Sequence, residues 1–259
     1  MGVTDLDVAV HIDALCREGV LMSSAAAACD PGAPVPTCPE WRARDLVHHT
    51  GGVQRWATGI VAGPRTEPWA APLDEVVGTW PSDDELADWL GRGCDALETA
   101  LRCAPEDLDC WTFLPAPSPL AMWARRQAHE TAIHRVDMER AAGTMVTPID
   151  SPFAADGVDE LLTCFVPRPK TGLRAVPPHT LGVRCTDVEA TWVLTIDGGG
   201  VTTTARRSDV VPEADCVVEG AACELYLALW NRTGADRLGV HGDPAVLDRF
   251  LDTVQIRWS

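Results

Sequence analysis

The stretch RRQAHETAIHRVD, residues 125–137, gathers residue types that ligate metals and move protons. It contains His129, Glu130 and His134, spaced one residue too widely for the zinc-protease pattern H-E-x-x-H. A helix turns about 100° per residue, so Glu130 and His134, four apart, are separated by about 40°. With Glu130 at zero, Trp123 and Ala141 fall at about 20° and Met138 at about 80°. Glu130 and His134 therefore share a stripe with apolar residues. His129 lies about 140° from His134, and the two histidines cannot hold one ion from a straight helix. The unit is E-x-x-x-H, not a stretched protease motif.

A metal site inside a helical bundle draws ligands from facing helices. The segment ARDLVHHTGGVQRWATGI, residues 43–60, offers two adjacent histidines. His49 lies central to the face of Leu46, Val53, Trp56 and Ile60, and His48 falls about 100° away, at its edge. His49, Glu130 and His134 together make a His₂Glu set with one position open, the ligand count of a catalytic zinc site. The same residues also fit a hydrogen-bonded core histidine and an i,i+4 Glu–His pair. A glutamate on an apolar stripe is unusual unless it is paired or metal-bound.

Four helices must position these groups. The patterning predicts them over residues 4–29, 40–61, from Ser82 with Glu85 as a capping-box partner, and from Ser118 to Gly143. DPGAPVPTCPEW interrupts the first pair with prolines and a glycine. Trp56 and Trp123 are expected to fill the bundle core. Beyond residue 148 the texture changes. One more helix in DSPFAADGVDELLTCFVP precedes four short Val- and Thr-rich segments, with DGGG as a hairpin turn between two of them, and two further helices close the chain. The fold class is α+β in two domains: a four-helix bundle over residues 1–148, then a linker helix and small α+β domain over residues 149–259.

Bulk properties narrow the function. The chain has 259 residues and a formal net charge of −17, which disfavours a nucleic-acid partner or an anionic membrane surface. No apolar run reaches the roughly 18 residues of a membrane span, and the N-terminus carries no signal-peptide pattern, so a cytoplasmic location is expected. The ten cysteines form no C-x-x-C pair and read as reduced thiols. His11, His179 and His241 read as structural or exposed.

CPEWRARDLVHHTGGVQRWA followed by RRQAHETAIHRVDMERAAG resembles the mycothiol-dependent maleylpyruvate isomerase family, a branch of the DinB-like metal-binding four-helix bundles. VVEGAACELYLALWNR is similar to the sterol-carrier-like second domain of that family. The resemblance implies a divalent metal, usually zinc, held by His49, Glu130 and His134. His48 departs from the family pattern, which more often has a small residue there. The resemblance also implies mycothiol or a similar thiol as cosubstrate, acting as a metal-bound thiolate on a small electrophile, in either isomerisation or S-transfer. An anionic substrate would suit Arg232, which matches an arginine of the family's C-terminal pattern, or Arg126, which otherwise reads as a surface ion pair. Gln127 and Asp137 lie near the ligand face, as groups that orient His134 or bind the thiol, or as solvated residues. The competing readings on the same bundle are a non-catalytic small-ligand-binding protein and a zinc-dependent regulator. Either a monomer or a homodimer is compatible with the sequence.

Overall fold

The computed structural model of the chain describes residues 3, 4, 6–63 and 65–255. These fall into two compact units, Asp7–Thr147 and a second made of the residues from Pro148 on with those before Asp7.

The first unit is a bundle. Its elements are α1 (Val8–Ala27), a two-stranded ribbon of β1 (Pro34–Val35) and β2 (Cys38–Arg42), α2 (Ala43–Val61), the short α3 (Leu73–Val77), α4 (Leu86–Cys103) and α5 (Pro119–Ala141). Each start has a local cause. Asp7 accepts from the Val10 amide at the head of α1, Asp45 accepts from the Arg42 amide at the head of α2, and Ser118 accepts from the Ala121 amide one residue before Pro119. These side chains satisfy amides that have no partner in the first turn. Ser82 and Glu85 do hydrogen-bond to each other, but in a turn that precedes α4. The expected start of α2 at Glu40 is shifted by three residues, because the chain first runs extended to pair Val35 with Cys38 and Pro34 with Arg42.

Met22, Leu46, Leu90, Trp123 and Met138 are fully buried in the bundle, whereas Trp56 is only partly so. Gly51 lets α2 approach α4 closely: a Cβ there would lie 2.1 Å from the Trp89 ring. The central helix is α5, which packs against α1, α2 and α4 and is buried over almost its whole circumference from Leu120 to Glu139. It also carries many polar residues, and those must be paired. Arg135 shows how. Its Nε donates to Glu18 on α1 at 2.8 Å, and its Nη1 donates to Glu139 at 2.7 Å and to the Thr147 carbonyl at 2.8 Å. Glu139 in turn accepts from the Thr147 amide and hydroxyl.

The second unit begins with α6 (Ser151–Asp159), whose last turn widens to a π-helical segment at Glu160–Phe165. Five strands follow in the spatial order β5-β4-β3-β6-β7: β3 (His179–Cys185), β4 (Thr191–Ile196), β5 (Val201–Arg206), β6 (Cys216–Gly220) and β7 (Gly239–Gly242). All neighbours are antiparallel except β3 and β6, which run parallel with Leu181 opposite Cys216. The DGGG segment is the β4–β5 turn, where Asp197 accepts from the Gly199 and Gly200 amides. Between β6 and β7 lies α7 (Ala222–Leu229), and α8 (Pro244–Thr253) follows the sheet. Trp192 donates to Asp159 and Trp230 to the Gly157 carbonyl, so α6 is tied to both sheet and α7. Gly157 is needed because a Cβ would meet the Tyr226 ring at 2.3 Å.

Arg135→Ala should destabilise the protein by about 3–5 kcal/mol, because it leaves Glu18 and Glu139 buried without their cation. Urea denaturation measures this; a variant within about 0.5 kcal/mol of the parent would show that the network carries little of the bundle's stability.

Candidate metal centre

Three elements of the bundle build one cluster. α2 delivers His49, α5 delivers Arg126, Glu130, His134 and Asp137, and the β1–β2 ribbon delivers Thr37 and Trp41. One turn of α5 separates each of Arg126, Glu130 and His134, which stacks them along one side of the helix.

Glu130 is the hub. Its Oε1 lies 3.2 Å from Nε2 of His49 and 3.2 Å from Nε2 of His134. Its Oε2 accepts a hydrogen bond from Nη2 of Arg126 at 3.1 Å. The far side of the His134 ring is also held, with Nδ1 3.0 Å from Asp137 Oδ2. Asp137 Oδ1 accepts from the Thr37 hydroxyl at 2.6 Å. The His49 and His134 rings stand nearly perpendicular, 5.0 Å between centroids, and the Trp41 ring packs 4.9 Å from His49.

Charge distribution follows from these contacts. Burial alone would raise the Glu130 carboxyl, but His134, the hydrogen bonds from both histidines and the Arg126 charge outweigh it and hold Glu130 well below the usual carboxylate range. Burial would likewise lower His134, yet Glu130 and Asp137 together push it above the ordinary histidine value. His49 goes the other way. Burial dominates there, and its proximity to His134 adds to the lowering against the pull of Glu130. The two histidines differ in their partners: His134 contacts both Glu130 and Asp137, whereas His49 contacts Glu130.

The two His–Glu edges match those around a tetrahedral metal ion. Ligand bonds of about 2.0–2.1 Å at tetrahedral angles imply ligand–ligand edges of about 3.3 Å, and both His–Glu separations are 3.2 Å. All three donor atoms lie within 4.8 Å of one another. Asp137 fixes the His134 tautomer so that Nε2 faces the shared centre, the usual arrangement behind a metal-bound histidine.

The remaining candidates divide. Arg126 is not a surface group: it is 1% exposed, and its ion pair is with Glu130 in the core. Asp137, at 0% exposure, is not solvated either. Gln127 is buried on the same helix, and its Oε1 accepts no hydrogen bond among the described residues. His129 is outside the cluster and faces His11, which is buried rather than exposed, at 6.1 Å between rings. His48 packs instead on Trp80, 4.8 Å away. Arg232 belongs to the second unit, just past α7, where its Nη1 donates to the Trp230 carbonyl. Thr37 had no sequence signal, and Trp41 stood only inside the motif that carries the resemblance; their part in the cluster depends on a ribbon meeting a helix about a hundred residues further along the chain.

The comparisons with known proteins agree with this architecture. The profile of the mycothiol maleylpyruvate isomerase N-terminal domain matches residues 12–139. That of the maleylpyruvate isomerase C-terminal domain matches residues 152–249. No curated protein sequence matches the chain. The fold is similar to the crystal structure of the mycothiol-dependent maleylpyruvate isomerase, with a TM-score of 0.61 at 16% identity, over 93% of this chain and 95% of that one. A point mutant of that enzyme gives a TM-score of 0.60 at 15% identity over the same shares. With both domain profiles matched in order, the chain belongs to the mycothiol maleylpyruvate isomerase family.

Proposed function

We propose that this chain is a metal- and thiol-dependent isomerase, with His49, Glu130 and His134 holding one divalent ion and a low-molecular-weight thiol of the mycothiol class as cosubstrate. The observation that carries the reading is the convergence of both histidine Nε2 atoms on a single oxygen of a buried carboxylate, each at 3.2 Å. Two imidazoles and a carboxylate with one position left over suit zinc. A bound divalent ion supplies a Lewis-acid position that holds a thiol as its nucleophilic thiolate near neutral pH.

The residues of the chain have distinct tasks in this scheme. Glu130 offsets part of the ion's charge. Asp137 and Thr37 keep His134 in one tautomer and one orientation. Trp41 covers the His49 ring and limits water on that side. The substrate class is a small cis olefin conjugated to a carbonyl. When bound, the thiol would supply a nucleophile that adds reversibly to one olefinic carbon, with the electron pair taken up by the carbonyl, so that the former double bond could rotate and re-form as trans with the thiol regenerated. Arg232 is proposed for a substrate carboxylate on its planar chemistry, and Gln127 for a polar group of the thiol. Net S-transfer would differ in one respect: it would consume the thiol.

Metal analysis by plasma mass spectrometry should find about one ion per wild-type chain and a loss of that ion in Glu130→Ala, with circular dichroism showing both folded. A folded wild type that stays metal-free after zinc is supplied would overturn the reading. With mycothiol and a cis-olefinic oxo acid, titration of free thiol should show no net consumption as the trans product forms; stoichiometric loss would assign S-transfer instead. Acidity gives a further test. His134 is held above its ordinary value, so its proton competes with the ion. Zinc affinity should be level above that raised pKa and fall about tenfold per pH unit below it; an affinity flat from pH 8 to pH 5 would contradict the ligand assignment.

A further inference from the structure

We infer that Arg126 is a positioning residue that makes Glu130 a one-oxygen ligand and keeps the fourth metal position open. The inference rests on the metal reading above and concerns how the carboxylate is shared.

A carboxylate can grip a cation through one oxygen or through both. Here its two oxygens face different partners. Oε1 faces both histidines, and Oε2 lies 3.1 Å from the Arg126 guanidinium. The pair is i,i+4 on one helix, so the rigid backbone of α5 sets the separation. Both side chains are almost wholly buried, with side-chain exposures of 2% and 4%. An Oε2 released from Arg126 would be a buried, unsatisfied anion, and its nearest remedy is the ion itself.

The consequence is twofold. A two-oxygen Glu130 would occupy the position where a thiol sulfur must enter, so Arg126 preserves the vacancy that distinguishes a catalytic from a closed site. The guanidinium also cancels the carboxylate's charge locally, so less of it reaches the ion. The ion is left more electrophilic than a His₂Glu set alone would leave it. Asp137 works in the opposite sense on the neighbouring ligand, since it strengthens His134 as a donor.

Cobalt-substituted protein tests this through what can enter the fourth position, independently of turnover. With a small thiol added, wild type should show the sulfur-to-cobalt charge-transfer absorption of a bound thiolate. Arg126→Met should lose that band at unchanged cobalt stoichiometry, its fourth position taken by the second Glu130 oxygen. Arg126→Lys, which keeps the cation, should restore the wild-type spectrum. An Arg126→Met spectrum identical to wild type with one cobalt bound would overturn the inference while leaving the metal reading intact. Wild type without cobalt would overturn both. If Arg126→Met does not fold, X-ray absorption on the wild type decides alone: one oxygen from Glu130 supports the inference, and two oxygens overturn it.

Discussion

A carboxylate in the dry interior of a bundle has to be compensated, and the first unit is organised around that requirement. Glu130 has three cationic or cation-capable neighbours, two from its own helix and one from α2. Isolated, a buried carboxylate would take up a proton. Here its partners keep it ionised, which is the state a metal ligand needs. The cost is that Arg126, His49 and His134 must each be held in place, and much of the surrounding structure does this.

The holding is distributed. Asp137 braces His134 from behind and is itself braced by Thr37 from the ribbon. Trp41 from the same ribbon closes over His49. Behind the cluster, a second buried set of charges, Arg135 with Glu18 and Glu139, pins α5 to α1 and to the chain leaving the bundle. Such pairs contribute little net stability against an apolar core of the same shape, but once present they tolerate few arrangements. That rigidity is the property a ligand set needs from its scaffold.

The sequence revealed the His49–Glu130–His134 cluster more readily than its supports. His49, Glu130 and His134 could be read because helical spacing put them among apolar neighbours. For Arg126 and Asp137 the same reasoning left a solvated reading open beside one at the ligand face, and their burial removes the solvated one. A stripe argument assumes that the opposite face of the helix is wet, whereas α5 is enclosed nearly all round. On a helix of that kind, polar residues mark internal pairing, and hydrophobic periodicity loses its meaning. Thr37 and Trp41 escaped notice because nothing local in DPGAPVPTCPEW indicates that it folds over a site. In the second unit, the Val- and Thr-rich strands and their DGGG turn were legible from composition. Strand β7 was not: Gly-Val-His-Gly has no strand signature and forms only because β6 presents an open edge. The parallel pairing of β3 with β6 is equally a product of tertiary packing.

The most direct test of the account is anomalous diffraction from crystals of the zinc-loaded protein, collected on both sides of the zinc absorption edge. The account predicts a single strong peak in the bundle, bonded to Nε2 of His49, Nε2 of His134 and one oxygen of Glu130, with no fourth protein ligand. A peak elsewhere, or a fourth side chain closing the site, would contradict it.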